Sequence, residues 1–204
     1  MAILNQASKE LQVKIVYYGP ALGGKTTNLV QVHQHVQTAR DAKGKLVSLA
    51  TSSDRTLFFD FLPIEAMTIK GFKTKFQLYT VPGQVIYNTT RQLVLRGVDG
   101  VVFVADSQYE KMPDNVESFK NMVDNLAALK LNLAEIPYVL QYNKRDMPNA
   151  APVEYMEYLL NNQEVQVPSF TASANQCEGV FETLNMITRL LLQKFVNQTS
   201  PHPA

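Results

Sequence analysis

Gly19-Pro20-Ala21-Leu22-Gly23-Gly24-Lys25-Thr26 is a glycine-rich stretch that fits the pattern G-x-x-x-x-G-K-S/T. An apolar run, residues 13–18, precedes it, and apolar residues at helical spacing follow it: Leu29, Val32 and Val36. A strand, a loop and a helix in this order form a phosphate-binding loop, because backbone N–H groups at the helix start meet phosphate charge at close range. The stretch therefore predicts a P-loop protein that binds a nucleoside di- or triphosphate.

The residues of this loop have separate expected roles at the phosphates. We expect Lys25 to reach the β- and γ-phosphates and to take part in catalysis. The hydroxyl of Thr26 is the predicted ligand of Mg²⁺, which prefers oxygen ligands in octahedral geometry. The other predicted nucleotide-binding residues here are Gly19, Ala21, Leu22, Gly23, Gly24 and Thr27.

Length, charge and cysteine content exclude several classes of protein. The 204 residues suffice for one domain with a sizeable core, and 19 Lys and Arg against 18 Asp and Glu predict no nucleic-acid-binding surface. Cys177 is the only cysteine, which excludes an intramolecular disulfide and fits a reducing cytoplasm. Because no membrane-length apolar run, signal peptide or prenylation cysteine is present, we expect a cytoplasmic protein without a direct membrane anchor. We also expect a monomer.

Strand-like and helical patterns alternate after the first ten residues. This alternation predicts an α/β fold with a mostly parallel central sheet and helices on both faces. The predicted strands are residues 13–18, 45–51, 57–62, 72–80, 100–105, 137–142 and 167–171. The predicted helices are residues 25–40, a short one through Arg91 and Leu95, one with Val116, Phe119, Val123, Leu126 and Leu129 on its apolar face, 153–162, and 180–195.

Residues 72–80 alternate cleanly between apolar and polar side chains. Phe72, Thr74, Phe76 and Leu78 fall on one face, as a half-buried strand requires. We expect this strand to form an antiparallel hairpin with residues 57–62. The polar residues 52–56 before the hairpin and residues 80–84 after it are predicted loops that both face the nucleotide. The hairpin between them could therefore move in response to the nucleotide, as a molecular switch requires.

Asn143-Lys144-Arg145-Asp146 fits the pattern N-K-x-D at the end of a predicted strand. A carboxylate accepts two hydrogen bonds from guanine, at N1–H and the exocyclic amino group, whereas adenine has no such donor pair. Asp146 is therefore the predicted guanine reader, Asn143 would tie this loop to the phosphate loop, and the aliphatic stem of Lys144 would cover the base. The expected ligands are GTP and GDP; an ATP-binding P-loop protein stays an alternative that a comparison of the two nucleotides would exclude.

From residue 13 to about 195 the chain resembles the Ras-like small GTPases, and more closely their bacterial MglA-type branch, which governs cell polarity and motility. The most specific matches are Lys14-Ile15-Val16-Tyr17-Tyr18-Gly19-Pro20, Asp54-Arg55-Thr56-Leu57-Phe58-Phe59-Asp60-Phe61-Leu62-Pro63 and Thr80-Val81-Pro82-Gly83-Gln84. The resemblance implies a Ras-like G domain with an antiparallel interswitch strand. We expect that domain to span 13–197, with an extension at 1–12 ordered against the sheet and a disordered tail at 198–204.

The resemblance also implies roles in the two switches. Thr56 would bind Mg²⁺ through its hydroxyl and contact the γ-phosphate through its backbone. Gly83 would donate its N–H to the γ-phosphate, and Gln84 would orient the attacking water. Arg55 would act as an arginine finger supplied in cis, against the alternative of a solvated loop arginine.

Ser173-Ala174-Asn175 occupies the place of the Ras-family S-A-K motif before the last helix. The resemblance implies that all three residues bind the nucleotide and that the Ala174 N–H faces guanine O6. It further implies two kinds of partner, an MglB-like Roadblock activating protein and effectors at a cell pole. Those partners would recruit the protein to the pole.

Two residues depart from the Ras pattern. Thr80 stands where an aspartate anchors Mg²⁺. A hydroxyl cannot supply that charge, so we expect weaker Mg²⁺ anchoring unless a neighbour such as Asp60 or Asp106 compensates. Ala21 stands where glycine is usual, and its methyl group would crowd an arginine finger or Gln84. Two functions therefore stay open: a GTP-hydrolysing molecular switch, and a GTP-binding scaffold that recruits effectors with negligible turnover.

Overall fold

The computed structural model describes residues 3–5, 8–38, 47–50, 56–69, 71–163 and 165–199. Over these ranges the chain forms one eight-stranded sheet with the order β3-β4-β5-β2-β6-β7-β8, and β1 pairs with β2 beside this path. The strands are β1 (Ile3–Asn5), β2 (Glu10–Tyr18), β3 (Val47–Ala50), β4 (Thr56–Ile69), β5 (Phe72–Thr80), β6 (Gly100–Asp106), β7 (Tyr138–Asn143) and β8 (Ser169–Thr171).

The centre of the sheet is parallel and its additions are antiparallel. β2 pairs in parallel with β5 and β6, and β6, β7 and β8 continue in parallel. The hairpin of β4 and β5 is antiparallel, as are the pairs β3–β4 and β1–β2. The mostly parallel sheet with an antiparallel interswitch strand is thus confirmed. The antiparallel pairing of β1 with β2, and of β3 with β4, was not predicted.

The helices cover both faces of the sheet, as predicted, and enclose two apolar cores. They are α1 (Lys25–Thr38), α2 (Asn88–Leu95), α3 (Met112–Ala128), α4 (Val153–Leu160) and α5 (Val180–Thr199). Helices α2, α3 and α4 share one core with Val16 and Tyr18 of β2. Helices α1 and α5 share the other core with Ile15 and Tyr17, because successive side chains of a strand point to opposite faces.

The predicted apolar face of α3 is wrong in part. Val116 is 42% exposed and Val123 is 36% exposed, whereas Asn115, Ser118 and Asn125 are buried. The buried asparagines have partners that compensate their desolvation: Asn115 bonds the backbone of Asp106, and Asn125 bonds the hydroxyl of Tyr18. The helix therefore turns a partly polar face toward the sheet.

Several element bounds differ from the predicted ones. The hairpin strand β4 continues to Ile69, and β5 buries Thr74, Phe76 and Leu78 as expected. Helix α5 continues to Thr199, two residues into the segment 198–204 that we expected to be disordered. Residues 200–204, and residues 51–55 before β4, lie outside the described residues.

The parallel strands bring the sequence motifs to one edge of the sheet. The phosphate loop follows the carboxyl end of β2, residues 81–84 follow β5, residues 143–146 end β7, and residues 172–175 follow β8. In open α/β sheets, ligands bind outside the carboxyl ends of the strands. The fold thus gathers motifs that lie more than a hundred residues apart in sequence.

Candidate nucleotide-binding site

A cavity of about 220 Å³ lies over the phosphate loop. Its lining residues are Ala21, Leu22, Gly23, Gly24, Lys25, Thr26, Thr27, Val81, Gly83, Gln84 and Tyr87. Lys25 is only 6% exposed, and its ammonium donates to the carbonyl oxygens of Gly19 at 3.0 Å and Pro20 at 2.6 Å. Because an ammonium has three N–H donors, one donor is left for a phosphate oxygen.

The buried ammonium of Lys25 is poorly stabilised by the protein alone. Burial lowers its pKa from 10.5 to about 7, and the nearby charge of Arg91 adds to the decrease, while Asp60 opposes it. A phosphate would supply the missing negative charge and raise this pKa. The electrostatics of the cavity thus favour an anionic ligand.

Asn143 joins the three loops at the base end of the site. Its side-chain amide donates to the carbonyl oxygen of Gly23 at 2.9 Å, and its side-chain oxygen accepts from the N–H of Ala174 at 2.9 Å. Gly24 makes this contact feasible: its φ is +98°, and a Cβ there would lie 2.1 Å from the Asn143 amide nitrogen. A single buried side chain therefore sets the distance between the phosphate loop and the base loops.

The Ala174 amide differs from the expectation drawn from the resemblance. Its N–H is engaged by Asn143, so a contact with guanine O6 would have to share that hydrogen. Ser173 is 3% exposed, and its N–H and carbonyl groups are bonded within the loop, to Glu178 and Gln176. Asn175 is exposed, and its carbonyl accepts from Gln31.

Lys144 and Asp146 sit differently although they are two residues apart. The Lys144 ammonium lies 2.6 Å from the carboxylate of Asp106, which is fully buried. Asp106 is therefore committed to the base loop and does not take the compensating role considered for Thr80. Asp146 is exposed, and over the described residues its carboxylate has no hydrogen-bond partner, which leaves both oxygens for a ligand.

Asp60 connects the phosphate loop with the end of β5. Its buried carboxylate accepts from the hydroxyl of Thr26 at 2.6 Å and from the hydroxyl of Thr80 at 2.9 Å. The Thr80 hydroxyl in turn accepts from the Asp60 N–H at 2.8 Å. The departure at Thr80 thus comes with a carboxylate on the neighbouring strand β4, beside the predicted Mg²⁺ ligand Thr26.

Gly83 packs directly against Ala21 of the phosphate loop. A Cβ on Gly83 would lie 2.3 Å from the Cα of Ala21 and 3.1 Å from its methyl carbon. Gln84 follows with an extended backbone and lines the cavity. The residue that departs from the family pattern therefore packs against Gly83, whose N–H is the predicted γ-phosphate donor.

Arg91 is a residue of this region that our sequence reasoning did not assign to the site. It is fully buried, and its guanidinium donates to the carbonyl oxygens of Pro82 and Gly83. An arginine in a short helix gives no sequence signal of burial, because arginines are mostly exposed. Its proximity to Gln84 in sequence is the only hint, and it is a weak one.

The side chains of the two predicted residues of the first switch, Arg55 and Thr56, are not described by the structure. Arg55 lies outside the described residues. Thr56 begins β4, where its backbone is paired with Ala50 of β3, and its side chain is not described. Their roles in the first switch stay predictions.

The chain belongs to the Ras family, whose profile matches residues 14–193, and it is a small GTPase of that family that binds guanine nucleotides. The Ras-like α/β fold that we expected is confirmed. Over the described ranges, none of the helices is long and apolar enough to cross a membrane.

More particularly, the chain is a homologue of the mutual gliding-motility protein MglA of Myxococcus xanthus (strain DK1622). The two sequences are 55% identical over 192 residues, which cover 94% of this chain and 96% of the relative. The resemblance to the MglA-type branch is thus confirmed.

Eukaryotic members of the family are more distant. The Ras-related protein Rab-13 of Canis lupus familiaris is 26% identical over 139 residues, which cover 68% of this chain and 66% of the relative. The Ras-related protein Rab-8A of Pongo abelii is 26% identical over 149 residues, which cover 72% and 69% of the two chains.

Proposed function

We propose that this protein is a GTP/GDP molecular switch that controls cell polarity and motility and hydrolyses GTP to GDP and phosphate. The observation that supports a switch is the position of the Asp60 carboxylate. It accepts hydrogen bonds from Thr26 of the phosphate loop and from Thr80 at the end of β5. Asp60 itself lies on β4, directly after the first switch segment. A change at the phosphates is therefore transmitted to both switch-bearing strands through one side chain. The name of the homologous gliding-motility protein supports the biological role.

The donor set fits a Mg²⁺ ion. A hydroxyl at Thr26 and a buried carboxylate at Asp60 are hard oxygen ligands, as this ion prefers, and the predicted Thr56 hydroxyl would add a third. When bound, the ion neutralises charge on the β- and γ-phosphate oxygens. Among the described residues there is no cluster of three or more His, Cys, Asp or Glu that could hold a metal, so the nucleotide and water would complete its coordination.

The reaction is an in-line attack of water on the γ-phosphorus of GTP. The new bond joins the water oxygen to phosphorus, and the bond from phosphorus to the β–γ bridging oxygen breaks. GDP leaves with that bridging oxygen, and the phosphoryl group keeps the water oxygen and both of its protons as H₂PO₄⁻. Gln84 orients the water, the Gly83 N–H holds a γ-oxygen, and Lys25 and Arg55 stabilise the charge that builds on the phosphoryl group. Guanine is held by Asp146, with Asn143 fixing the loops and Lys144, Ser173, Ala174 and Asn175 beside the base.

The partners follow from homology. We infer an MglB-like Roadblock activating protein that accelerates hydrolysis, and effectors at a cell pole that bind the GTP state. Their capture would bring the cytoplasmic monomer to the pole.

A second function is a GTP-binding scaffold with negligible turnover. The contact between Ala21 and Gly83 favours it, because a methyl group occupies space next to the predicted γ-phosphate donor. In that case nucleotide exchange or partner capture would set the state of the protein, and Gln84 would have no kinetic role.

Single-turnover GTP hydrolysis, with and without a Roadblock partner, tests the proposal. We expect Gln84→Ala to lose most of the partner-stimulated rate, and Asp60→Asn to raise the Mg²⁺ concentration needed for half-maximal rate by about tenfold or more, since a charged acceptor at the hydroxyls is lost. The matched control is Asp99→Asn. Asp99 is a partly buried aspartate outside the site, and its carboxylate accepts a hydrogen bond from the Lys14 N–H. Equal, slow hydrolysis by the wild type and Gln84→Ala under both conditions would leave only the scaffold.

A further inference from the structure

Arg91 of α2 is the largest side chain that is fully buried in the described part of the protein. Its Nε donates to the carbonyl oxygen of Pro82 at 2.9 Å, and one terminal nitrogen bonds the carbonyl oxygen of Gly83 closely. The other terminal nitrogen lies 2.6 Å from the side-chain oxygen of Asn121 on α3. The guanidinium thus holds two successive carbonyls of the segment that leads into Gln84.

The buried charge of Arg91 has only neutral partners. Within the described ranges no carboxylate lies at ion-pair distance from it. The acceptors are two backbone carbonyls, the side-chain oxygen of Asn121 and, at 3.5 Å, the hydroxyl of Tyr18, whose ring lies 5.0 Å from the guanidinium. A buried cation is strongly destabilised when such acceptors turn away, because nothing else compensates its lost hydration. The charge therefore favours the arrangement of residues 82–83 in which both carbonyls point to it.

The acceptor on α3 is itself fixed by a polar network. The side-chain oxygen of Asn121 also accepts from the Tyr18 hydroxyl at 2.7 Å, and its amide donates to Asn88 at 3.0 Å. Asn125, one helical turn further, donates to the same Asn88 oxygen at 2.8 Å and to the Tyr18 hydroxyl at 3.0 Å. The guanidinium is thus anchored to β2 and α3, which share one apolar core.

Gly83 is held from two sides. Its carbonyl is bonded by Arg91, and its Cα faces the backbone of Ala21 with no space for a Cβ. Gly83 is therefore held by a contact with the phosphate loop on one side and by a buried cation on the other. The charge of Arg91 also reaches this site, since it contributes to the low pKa of Lys25.

We propose that Arg91 is the positioning residue of the second switch: by binding the carbonyls of Pro82 and Gly83, it holds Gly83 and Gln84 in the arrangement that engages the γ-phosphate. This inference rests on the proposed GTPase switch and adds a residue to it. Because GDP has no γ-phosphate, Arg91 contributes to the affinity for GTP and to hydrolysis, but little to the affinity for GDP.

The test compares the dissociation constants for GDP and for a non-hydrolysable GTP analogue in two variants. Arg91→Met keeps a long apolar stem and removes the charge; Arg91→Lys keeps the charge and removes the planar fork. We expect GDP affinity within about threefold of the wild type, and a loss of analogue affinity of about 10- to 100-fold in Arg91→Met, as for a hydrogen bond to a charged group. Arg96→Met, at the exposed end of the same helix, is the matched control and should change neither constant.

Thermal unfolding and a milder variant separate positioning from a general loss of structure. Asn121→Ala leaves the arginine in place and removes one acceptor, so it should lower the ratio of analogue to GDP affinity in the same direction by about three- to tenfold. Equal losses for both nucleotides in Asn121→Ala and in the folded Arg91 variants, or no loss at all, would overturn the inference. A wild type that binds neither nucleotide would instead overturn the proposed function, and this inference with it.

Discussion

The base loops and the phosphate side of the site lie at the same edge of the sheet, but the protein holds them in different ways. At the base loops, Asn143 is bonded at both ends of its amide, and Lys144 is paired with the carboxylate of Asp106. At the phosphate side, the cations of Lys25 and Arg91 are buried without a carboxylate at ion-pair distance in the described residues.

This difference indicates which side responds to the ligand. A region whose framework side chains, such as Asn143 and Lys144, are bonded within the protein keeps its geometry with or without nucleotide. A region with buried charges that only carbonyls and hydroxyls solvate gains the most when an anion enters, and it rearranges when that anion changes. We therefore propose that the base loops provide constant recognition of guanine, while the phosphate side provides the switch.

The largest effect is expected from removing the charge of Asp146, the predicted guanine reader. Asp146→Asn should lower GTP affinity by about 100-fold or more, because two hydrogen bonds to a carboxylate contribute about 1.5–3 kcal/mol each. GDP affinity should fall by the same factor, since the base loops do not depend on the γ-phosphate. Competition binding with GTP, GDP and ATP measures both effects, with the exposed Asp124→Asn as control. An unchanged affinity for GTP would revive the ATP-binding alternative.

A smaller and more selective effect is expected at the contact between the switch and the phosphate loop. Gly83→Ala places a methyl group against the Ala21 backbone, so residues 82–84 must move away from the loop. We expect hydrolysis to fall by about tenfold or more, as when a positioned donor is lost, with GDP affinity nearly unchanged. The double variant Gly83→Ala/Ala21→Gly should not recover, since the clash is mainly with backbone atoms.

Gly71→Ala is the control for the Gly83 substitution. Gly71 has a φ of +82° with nothing within 4 Å of an added Cβ, so alanine there introduces backbone strain without a clash. A similar loss of hydrolysis in both glycine variants would mean that the contact with Ala21 is irrelevant to the reaction.

The buried Lys25 predicts a pH dependence that the base loops do not share. Its pKa in the free protein is about 7, and a bound phosphate requires the protonated form, so nucleotide affinity should fall by up to about tenfold between pH 7.5 and 8.5. Nucleotide phosphates are already ionised over this range, so their own titration does not produce the decrease. Isothermal titration in buffers of different ionisation enthalpy should show proton uptake on binding.

The folding stability of the free protein changes with pH in the opposite direction to the nucleotide affinity. The pKa of Lys25 in the free protein lies below its ordinary value of 10.5, so above pH 7 the unfolded chain binds more protons at this group than the folded chain. Lys25 thus makes the free protein more stable as the pH rises from about 7 toward 10.5.

The control for the affinity measurement is the permanently charged variant Lys25→Arg. A wild-type affinity that does not change with pH, as in Lys25→Arg, would contradict the low pKa of Lys25.

The smallest effect is expected from the residue that departs from the family pattern. Ala21→Gly removes one methyl group next to Gly83, and a methyl group corresponds to about 0.8 kcal/mol of packing. We expect the single-turnover rate to rise by about two- to fivefold, with the nucleotide affinities unchanged. A lower rate would mean that the methyl supports the position of Gly83 instead of crowding it.

The sequence predicted the elements and motifs well where the local pattern is strong. Residues 100–105 are apolar without interruption and form the buried strand β6, and the alternation from Phe72 to Leu78 gives the half-buried strand β5. The face of α3 was predicted less well, because Asn115 and Asn125 are buried by partners on other elements, Asp106 and Tyr18. Periodicity reports the polarity of a side chain and contains no information on such partners.

The sequence alone determined the nucleotide class of this protein, because the phosphate loop and the N-K-x-D pattern are contiguous segments whose chemistry depends on local backbone geometry. Only the tertiary structure decided between Asp60 and Asp106 as the acid near Thr26, and only it placed Arg91 against Pro82 and Gly83. Burial and charge compensation arise from groups that are distant in sequence and become neighbours when the sheet forms. Residue types therefore specify what the site binds, while the packing of β4, β5, α2 and α3 specifies how it responds.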